Sequence, residues 1–137
     1  MKNSIKIALF IVAMALFVPL YAQQETSLEF LKEQICKKWN YSKCRILGIE
    51  YTSNKDEAGD MIQFERDMTY TLIEQGKVKE GKWSYSFEKN RILLLDQNEQ
   101  VVKELTVDKL TDSEFIYTIT MNRQYEVSMF MKSEALN

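Results

Sequence analysis

From Trp39 to Met131 the chain alternates apolar and polar side chains with a period of two, and no proline interrupts it. Successive residues of a strand point to opposite faces of a sheet, so this alternation is what a half-buried strand requires. The clearest runs are Ile62/Phe64, Tyr70/Leu72, Trp83/Tyr85, Val101/Lys103/Leu105/Val107, Phe115/Tyr117/Ile119/Met121 and Tyr125/Val127/Met129/Met131. Aromatic and β-branched residues, which suit a pleated surface, are frequent throughout. Eight strands are predicted, at 39–51, 61–66, 69–75, 81–87, 91–96, 100–108, 114–121 and 124–132. Ile92-Leu93-Leu94-Leu95 is a continuous apolar run whose facing the pattern leaves open. The connections are short and polar: Arg66-Asp67-Met68, Glu88-Lys89-Asn90, Gln97-Asn98-Glu99, Thr111-Asp112-Ser113 and Asn122-Arg123. Such loops join antiparallel neighbours, because a parallel crossover needs a dozen residues or more. A meander of this kind exposes two bare edges unless it curls until its first and last strands pair. The predicted fold class is therefore all-β, an eight-stranded antiparallel up-and-down barrel.

Before the strands the period is helical. Thr26 offers a capping hydroxyl with Glu29 three positions on, and Leu28, Leu31 and Ile35 follow at helical spacing. A short amphipathic helix ending near Lys37-Lys38 is expected, with its apolar stripe closing one end of the barrel. Residues 1–22 differ again: Lys2 and Lys6 precede an apolar run from Ile7 to Leu20, then Tyr21-Ala22 and the polar Gln23-Gln24-Glu25. This is the pattern of a secretory signal peptide cleaved after Ala22. The apolar run is shorter than the roughly 20 residues of a spanning helix, and Pro19 breaks its end. The expected product, residues 23–137, is one domain, not membrane-spanning after cleavage, free in the periplasm or secreted.

Composition removes several functions. The formal net charge of -2 becomes -4 when Lys2 and Lys6 leave with the leader, and no basic run offers a footprint for nucleic acid. The chain has no histidine and two cysteines, so Ser-His-Asp and Cys-His catalysis, His-rich metal sites and four-thiolate zinc sites are all excluded. No pair of carboxylates stands out as acid and base from ordinary outward-facing residues, and the expectation is a protein that is not an enzyme and uses no cofactor. Asp56, Glu57 and Asp60 lack the alternating acids and the downstream glutamate of a calcium loop and read as a solvated turn, so no metal site is assigned.

Trp39 opening the first strand, Ile62-Gln63-Phe64 leading into Thr69-Tyr70, Gly81-Lys82-Trp83-Ser84-Tyr85, and Ile92 to Asp96 after a polar turn stand in an order that resembles the small lipocalin-like domains of exported bacterial proteins, a branch of the calycin-type barrels. The resemblance covers most of residues 23–137 and implies an up-and-down barrel with a short N-terminal helix. Two departures are visible. The Gly-x-Trp spacing falls at Gly81 and Trp83 rather than before Trp39, and Asp67-Met68 stands where relatives place Asp-Gly, which points to a turn other than the glycine-dependent type I′.

The aromatic residues Trp39, Phe64, Tyr70, Trp83, Tyr85, Phe115, Tyr117 and Tyr125 fall on one face of the ribbon and are the expected barrel lining. Two readings follow. Aromatic walls with tyrosine hydroxyls suit a small apolar or amphipathic ligand. Equally, an eight-stranded barrel with short strands and bulky rings can fill itself, which would leave a cell-envelope interaction or structural module with no small-molecule ligand. Met121, Met129 and Met131 divide in the same way, between core and an adaptable patch. Cys36 and Cys44 are a candidate disulfide in an oxidising compartment. An extended chain from Trp39 would hold them roughly 17 Å apart, against the 7 Å between Cα atoms that a bridge tolerates.

Overall fold

The structure is a computed structural model that describes residues 27–134. The expected leader and the Thr26 cap lie outside the described residues. The described chain falls into two compact units divided between Glu33 and Gln34. Helix α1 spans 27–35 and stops short of Lys37-Lys38, because Lys38 already belongs to the first strand. Within α1, Lys32 and Glu29 lie one turn apart at 3.5 Å.

The described residues of the second unit form nine strands: β1 Lys38–Ile46, β2 Ile49–Thr52, β3 Met61–Phe64, β4 Thr69–Glu74, β5 Lys77–Ser86, β6 Arg91–Leu95, β7 Val101–Leu110, β8 Glu114–Met121 and β9 Tyr125–Ser133. Each strand from β3 to β9 pairs with the next, β3 pairs with β1, and β9 returns to pair antiparallel with β1 along Trp39–Ile46. Eight strands thus close an antiparallel barrel, and β2 is an additional strand on β1.

The single strand expected over 39–51 is two. Leu47 and Gly48 both have positive φ, 50° and 79°, the arrangement of a two-residue type I′ turn, and the chain doubles back with Ile46 opposite Ile49. Leucine is an unusual occupant of that conformation, so the turn carried only Gly48 as its mark. β1 also contains a bulge, since Tyr41 pairs with Met131 while Lys43 pairs with Phe130. The extra residue, Ser42, shifts the inward phase from Trp39 and Tyr41 to Cys44 and Ile46. β2 runs beside Lys43–Ile46 and β3 beside Lys38–Asn40, the same edge of β1. The loop between them leaves where Ser53 N–H donates to the Ser42 carbonyl and returns where the Tyr41 N–H donates to the Asp60 carbonyl, at 3.3 and 3.0 Å. β5 begins at Lys77, four residues before the expected start, because Lys77–Glu80 is exposed throughout and holds one apolar residue, Val78, too few to show alternation.

The turn at Asp67-Met68 has positive φ at Met68 alone. Instead of a glycine it uses a side chain: the Asp67 carboxylate accepts from the Thr69 N–H and hydroxyl at 3.1 and 2.6 Å. Those two bonds hold the Asp67 carboxyl below the ordinary aspartate range.

Packing differs between the two ends of the barrel. At one end Trp39, Phe64, Trp83 and Phe115 are fully buried and stack edge-on or tilted, with ring centroids 5.6 Å apart for Trp39–Phe115 and Phe64–Trp83 and 6.3 Å for Phe64–Phe115. Both indoles are tied to backbone: Trp39 Nε1 donates to the Ile35 carbonyl at 2.9 Å and Trp83 Nε1 to the Glu65 carbonyl at 3.1 Å. This end is solid. At the other end the ladders stop early. The β7–β8 pairing ends at Thr106–Thr118, β3–β4 at Met61–Ile73 and β5–β6 at Lys82–Leu95. Among the described residues Ile119–Met121 therefore pair only with β9, and Lys77–Gly81 only with β4. The wall parts here into a β2–β1–β9–β8 sheet, a β4–β5 hairpin and the end of the β6–β7 hairpin.

Candidate functional site: the open half of the barrel

Between those parts lies a cavity of about 420 Å³. One wall, from β1, β8 and β9, is apolar: Ile46, Ile119, Met121, Val127, Met129 and Met131. The opposite wall is charged, because Glu74 continues the inward phase of Tyr70 and Leu72, and Lys77 and Lys79 pair in register with Glu74 and Leu72. Lys103 joins them from β7, in phase with the fully buried Leu105. Its ammonium bonds Glu74 Oε1 at 2.5 Å, and Lys79 approaches the other carboxylate oxygen at 3.8 Å. Asp60 is fixed differently: its Oδ1 accepts the Gln75 N–H at 2.7 Å, clasping the tip of the β4–β5 hairpin to the end of the 53–60 loop.

At the base, where the cavity meets the aromatic plug, stands Tyr117. Its residue is 4% exposed and its ring packs on Phe115 with centroids 5.0 Å apart. Among the described residues its hydroxyl has no hydrogen-bond partner, yet it is not sealed off, and Tyr117 lines the cavity. The phenol is held well above its ordinary pKa, first by burial and then by the negative charges of Glu74 and Asp60. Tyr41, on β1 like Ile46, is also pushed up, by burial and then by its hydrogen bond with Cys44.

The eight aromatic positions expected to line the barrel separate by depth. Trp39, Phe64, Trp83 and Phe115 make the plug. Tyr117 and Tyr125 line the cavity. Tyr70 is buried and borders a second cleft of about 500 Å³, where β5 runs past the end of β6. Tyr85 is half-buried, bonds to Asn90 and stacks on Phe87 with centroids 4.8 Å apart. Met121, Met129 and Met131 are all cavity wall. No disulfide joins Cys36 and Cys44. Cys44 is opposite Tyr51 and Met129 in the distal half of β1, and Cys36 precedes the strand's first residue. The 53–60 loop is organised by Asn54, whose Oδ1 accepts from the Asp56 and Glu57 amides at 2.9 and 3.0 Å. Among the described residues no group of three or more metal-ligating side chains converges.

Sequence reasoning passed over Asp60, Glu74, Lys77, Lys79 and Lys103 as cavity residues. The signal for two of them was present. Glu74 and Lys103 are charges at inward-phase positions, where a filled barrel would place apolar groups. The chain matches no protein-family model, and no curated protein is significantly similar to it.

Proposed function

We propose that this is an exported, non-catalytic carrier or sensor of one small amphipathic molecule, bound lipocalin-fashion in the open half of the barrel. The observation that carries this reading is the cavity of about 420 Å³ with one apolar and one charged wall. Its size lies within the ~300–1,000 Å³ typical of small-molecule sites, which likewise combine apolar lining with a few placed polar groups. The test is emission of the neutral apolar probe N-phenyl-1-naphthylamine. It should brighten with saturable binding, and substituting the cavity wall by Met129→Trp should abolish that while the thermal midpoint is retained. Unchanged emission with neutral, anionic and cationic apolar probes alike would refute the proposal.

A second reading, an envelope module that contacts other proteins, is favoured by one specific feature. The β1–β2 hairpin exposes Leu47, Ile49 and Tyr51, and among the described residues β2 pairs only with β1, leaving a backbone edge of the kind that accepts an added strand. That reading requires that Ile49→Lys abolish a crosslinked complex in the envelope fraction without altering probe binding.

A further inference from the structure

We infer that the cavity's ligand is an amphiphile with a singly charged anionic head, such as a carboxylate, set at the mouth against the Lys77 ammonium with its apolar tail along Ile119, Val127 and Met129. This rests on the reading of the cavity as a ligand site. Lys77 is placed by the turn before it. Gln75 and Gly76 both have positive φ, 50° and 78°, the two-residue type I′ geometry that holds Lys77 in register with Glu74 at the tip of the β4–β5 hairpin. Residues two apart on a strand share a face, so Lys77 and Lys79 look the same way, and both line the cavity. The tip is clasped to the end of the 53–60 loop by the Asp60–Gln75 bond at 2.7 Å. Lys77 is exposed, which puts it at the mouth of the cavity rather than on its floor.

The sign of the head follows from the charges that line the cavity. Lys77, Lys79 and Lys103 stand against Asp60 and Glu74, three ammonium groups to two carboxylates. One positive charge is in excess, and the pairings show where it falls. Glu74 takes Lys103 on one oxygen at 2.5 Å and Lys79 on the other at 3.8 Å, while Asp60 accepts the Gln75 amide. Among the described residues Lys77 has no ion-pair partner, although Glu74 is its register neighbour. A head with one negative charge would meet an ammonium that no carboxylate has taken, and would bring the lining to neutrality. A cationic head would add to the excess, and the carboxylate nearest Lys77 in register is already shared by two lysines. An uncharged head gains nothing from Lys77. Because the head stays at an exposed mouth it keeps part of its water and escapes the penalty of a fully buried ion. The tail direction is set by the asymmetry of the walls. Inward from the β8–β9 tip the register pairs Met121–Tyr125, Ile119–Val127 and Tyr117–Met129 follow one another, an apolar depth of roughly 13 Å over four residues at ~3.3 Å each.

The experiment is competition against bound N-phenyl-1-naphthylamine at neutral pH and low salt by three ligands that share one tail, decanoate, decanol and decylammonium, each kept below the concentration at which it aggregates. Decanoate is expected to displace the probe about fivefold better than decanol, the scale of one partly exposed ion pair, with decylammonium the weakest. Lys77→Gln should weaken decanoate about fivefold, leave decanol and the probe unchanged and, at an exposed position, keep the thermal midpoint. Lys77→Glu should go further and make decylammonium the better of the two ions. Added salt should shrink decanoate's lead, because a charge pair at the mouth is screened. Decanol or decylammonium competing as well as decanoate, an unaltered decanoate affinity in Lys77→Gln, or equal weakening of all three ligands in that variant would each overturn the inference while leaving the cavity reading in place. A lysine that serves only to keep the hairpin tip soluble gives the second of these results. Absence of probe binding to the unsubstituted protein would overturn both.

Discussion

Gly81→Ala is expected to cost this barrel about 3 kcal/mol, and the number can be worked from one contact. A Cβ at position 81 would lie 2.0 Å from the carbonyl oxygen of Leu95 and 3.0 Å from Cε1 of Tyr70. Nothing there yields cheaply. The Leu95 carbonyl is backbone, at the last β5–β6 register pair, Lys82–Leu95, and the Tyr70 ring is buried directly opposite Gly81 on β4. To reach ordinary contact, β5 and β6 must separate by more than about 1 Å. That opens the ladder at its end, at ~1 kcal/mol for the weakened backbone bond, and adds ~1–3 kcal/mol for overpacking against Tyr70. For a domain of this size the sum corresponds to a fall of roughly 15 °C in melting temperature. Gly59→Ala is the control: no atom lies within 4 Å of its Cβ and its φ is not left-handed, so it should change stability by less than about 0.5 kcal/mol. Both would be measured by urea and thermal unfolding followed by circular dichroism. A Gly81→Ala protein that melts with the Gly59→Ala control would show that the approach of β5 to β6 is slack and that the reasoning from the close contact is wrong.

Phe115→Ala, at the centre of the plug and in contact with Trp39, Phe64 and Tyr117, should lose about 3–5 kcal/mol and shift tryptophan emission to the red. Leu47→Asn should stabilise the protein by roughly 0.5–1 kcal/mol, because the site is 83% exposed and asparagine adopts positive φ at lower cost than leucine; a lowered urea midpoint would contradict this. Tyr117, Tyr41, Tyr70 and Tyr85 all bind their protons more tightly in the folded state, so stability should hold below the unfolded phenol value of about 10 and fall as pH rises beyond it. Each such proton contributes up to ~1.4 kcal/mol per pH unit, and Tyr117→Phe should make the alkaline limb shallower by one proton's worth. Glu50, Asp67, Glu114 and Glu134 titrate below their ordinary range, in each case chiefly through a hydrogen bond from a neighbouring side chain. Their contribution is present above the unfolded carboxylate value and should be lost as pH falls through the lower folded values, which acid titration of the far-ultraviolet signal would follow.

The closed antiparallel barrel was legible because β4, β8 and β9 keep strict alternation, and the short polar connections leave only hairpin neighbours. What the alternation could not carry was a change of phase. Ser42 adds one residue to β1, and the tally of inward positions along 39–51 fails from there, just where Leu47-Gly48 turns the chain with a residue that seldom marks a turn. Lys77–Glu80 was passed over for a related reason: a strand at the rim of an opening has solvent on both faces and needs no hydrophobic side. The cavity was harder still. Period two tells which face a side chain takes but not its depth, so Trp39 and Tyr117 look equivalent in sequence although one belongs to the plug and the other to the floor of the cavity. The inward-phase charges Glu74 and Lys103 mark the difference, since neither would be tolerated among the stacked rings.

The division of the barrel into a solid and an open half sets a packed core and a cavity side by side, because the two occupy different lengths of the same strands. The plug concentrates the large rings, and both indole N–H groups are fastened to backbone carbonyls, so this end supplies cooperative stability independent of any ligand. With that end secured, the other can leave backbone ladders unfinished at β7–β8, β5–β6 and β3–β4. Unfinished ladders are where local opening is least expensive. The Asp60–Gln75 bond, together with the Lys103–Glu74 ion pair, then limits how far the β4–β5 hairpin can swing. Cutting that bond with Asp60→Ala should therefore speed hydrogen exchange at Glu74 to Lys77 and leave Trp39 and Phe115 protected. Equal acceleration at both ends would mean that the barrel opens as one unit and that the plug does not stand alone.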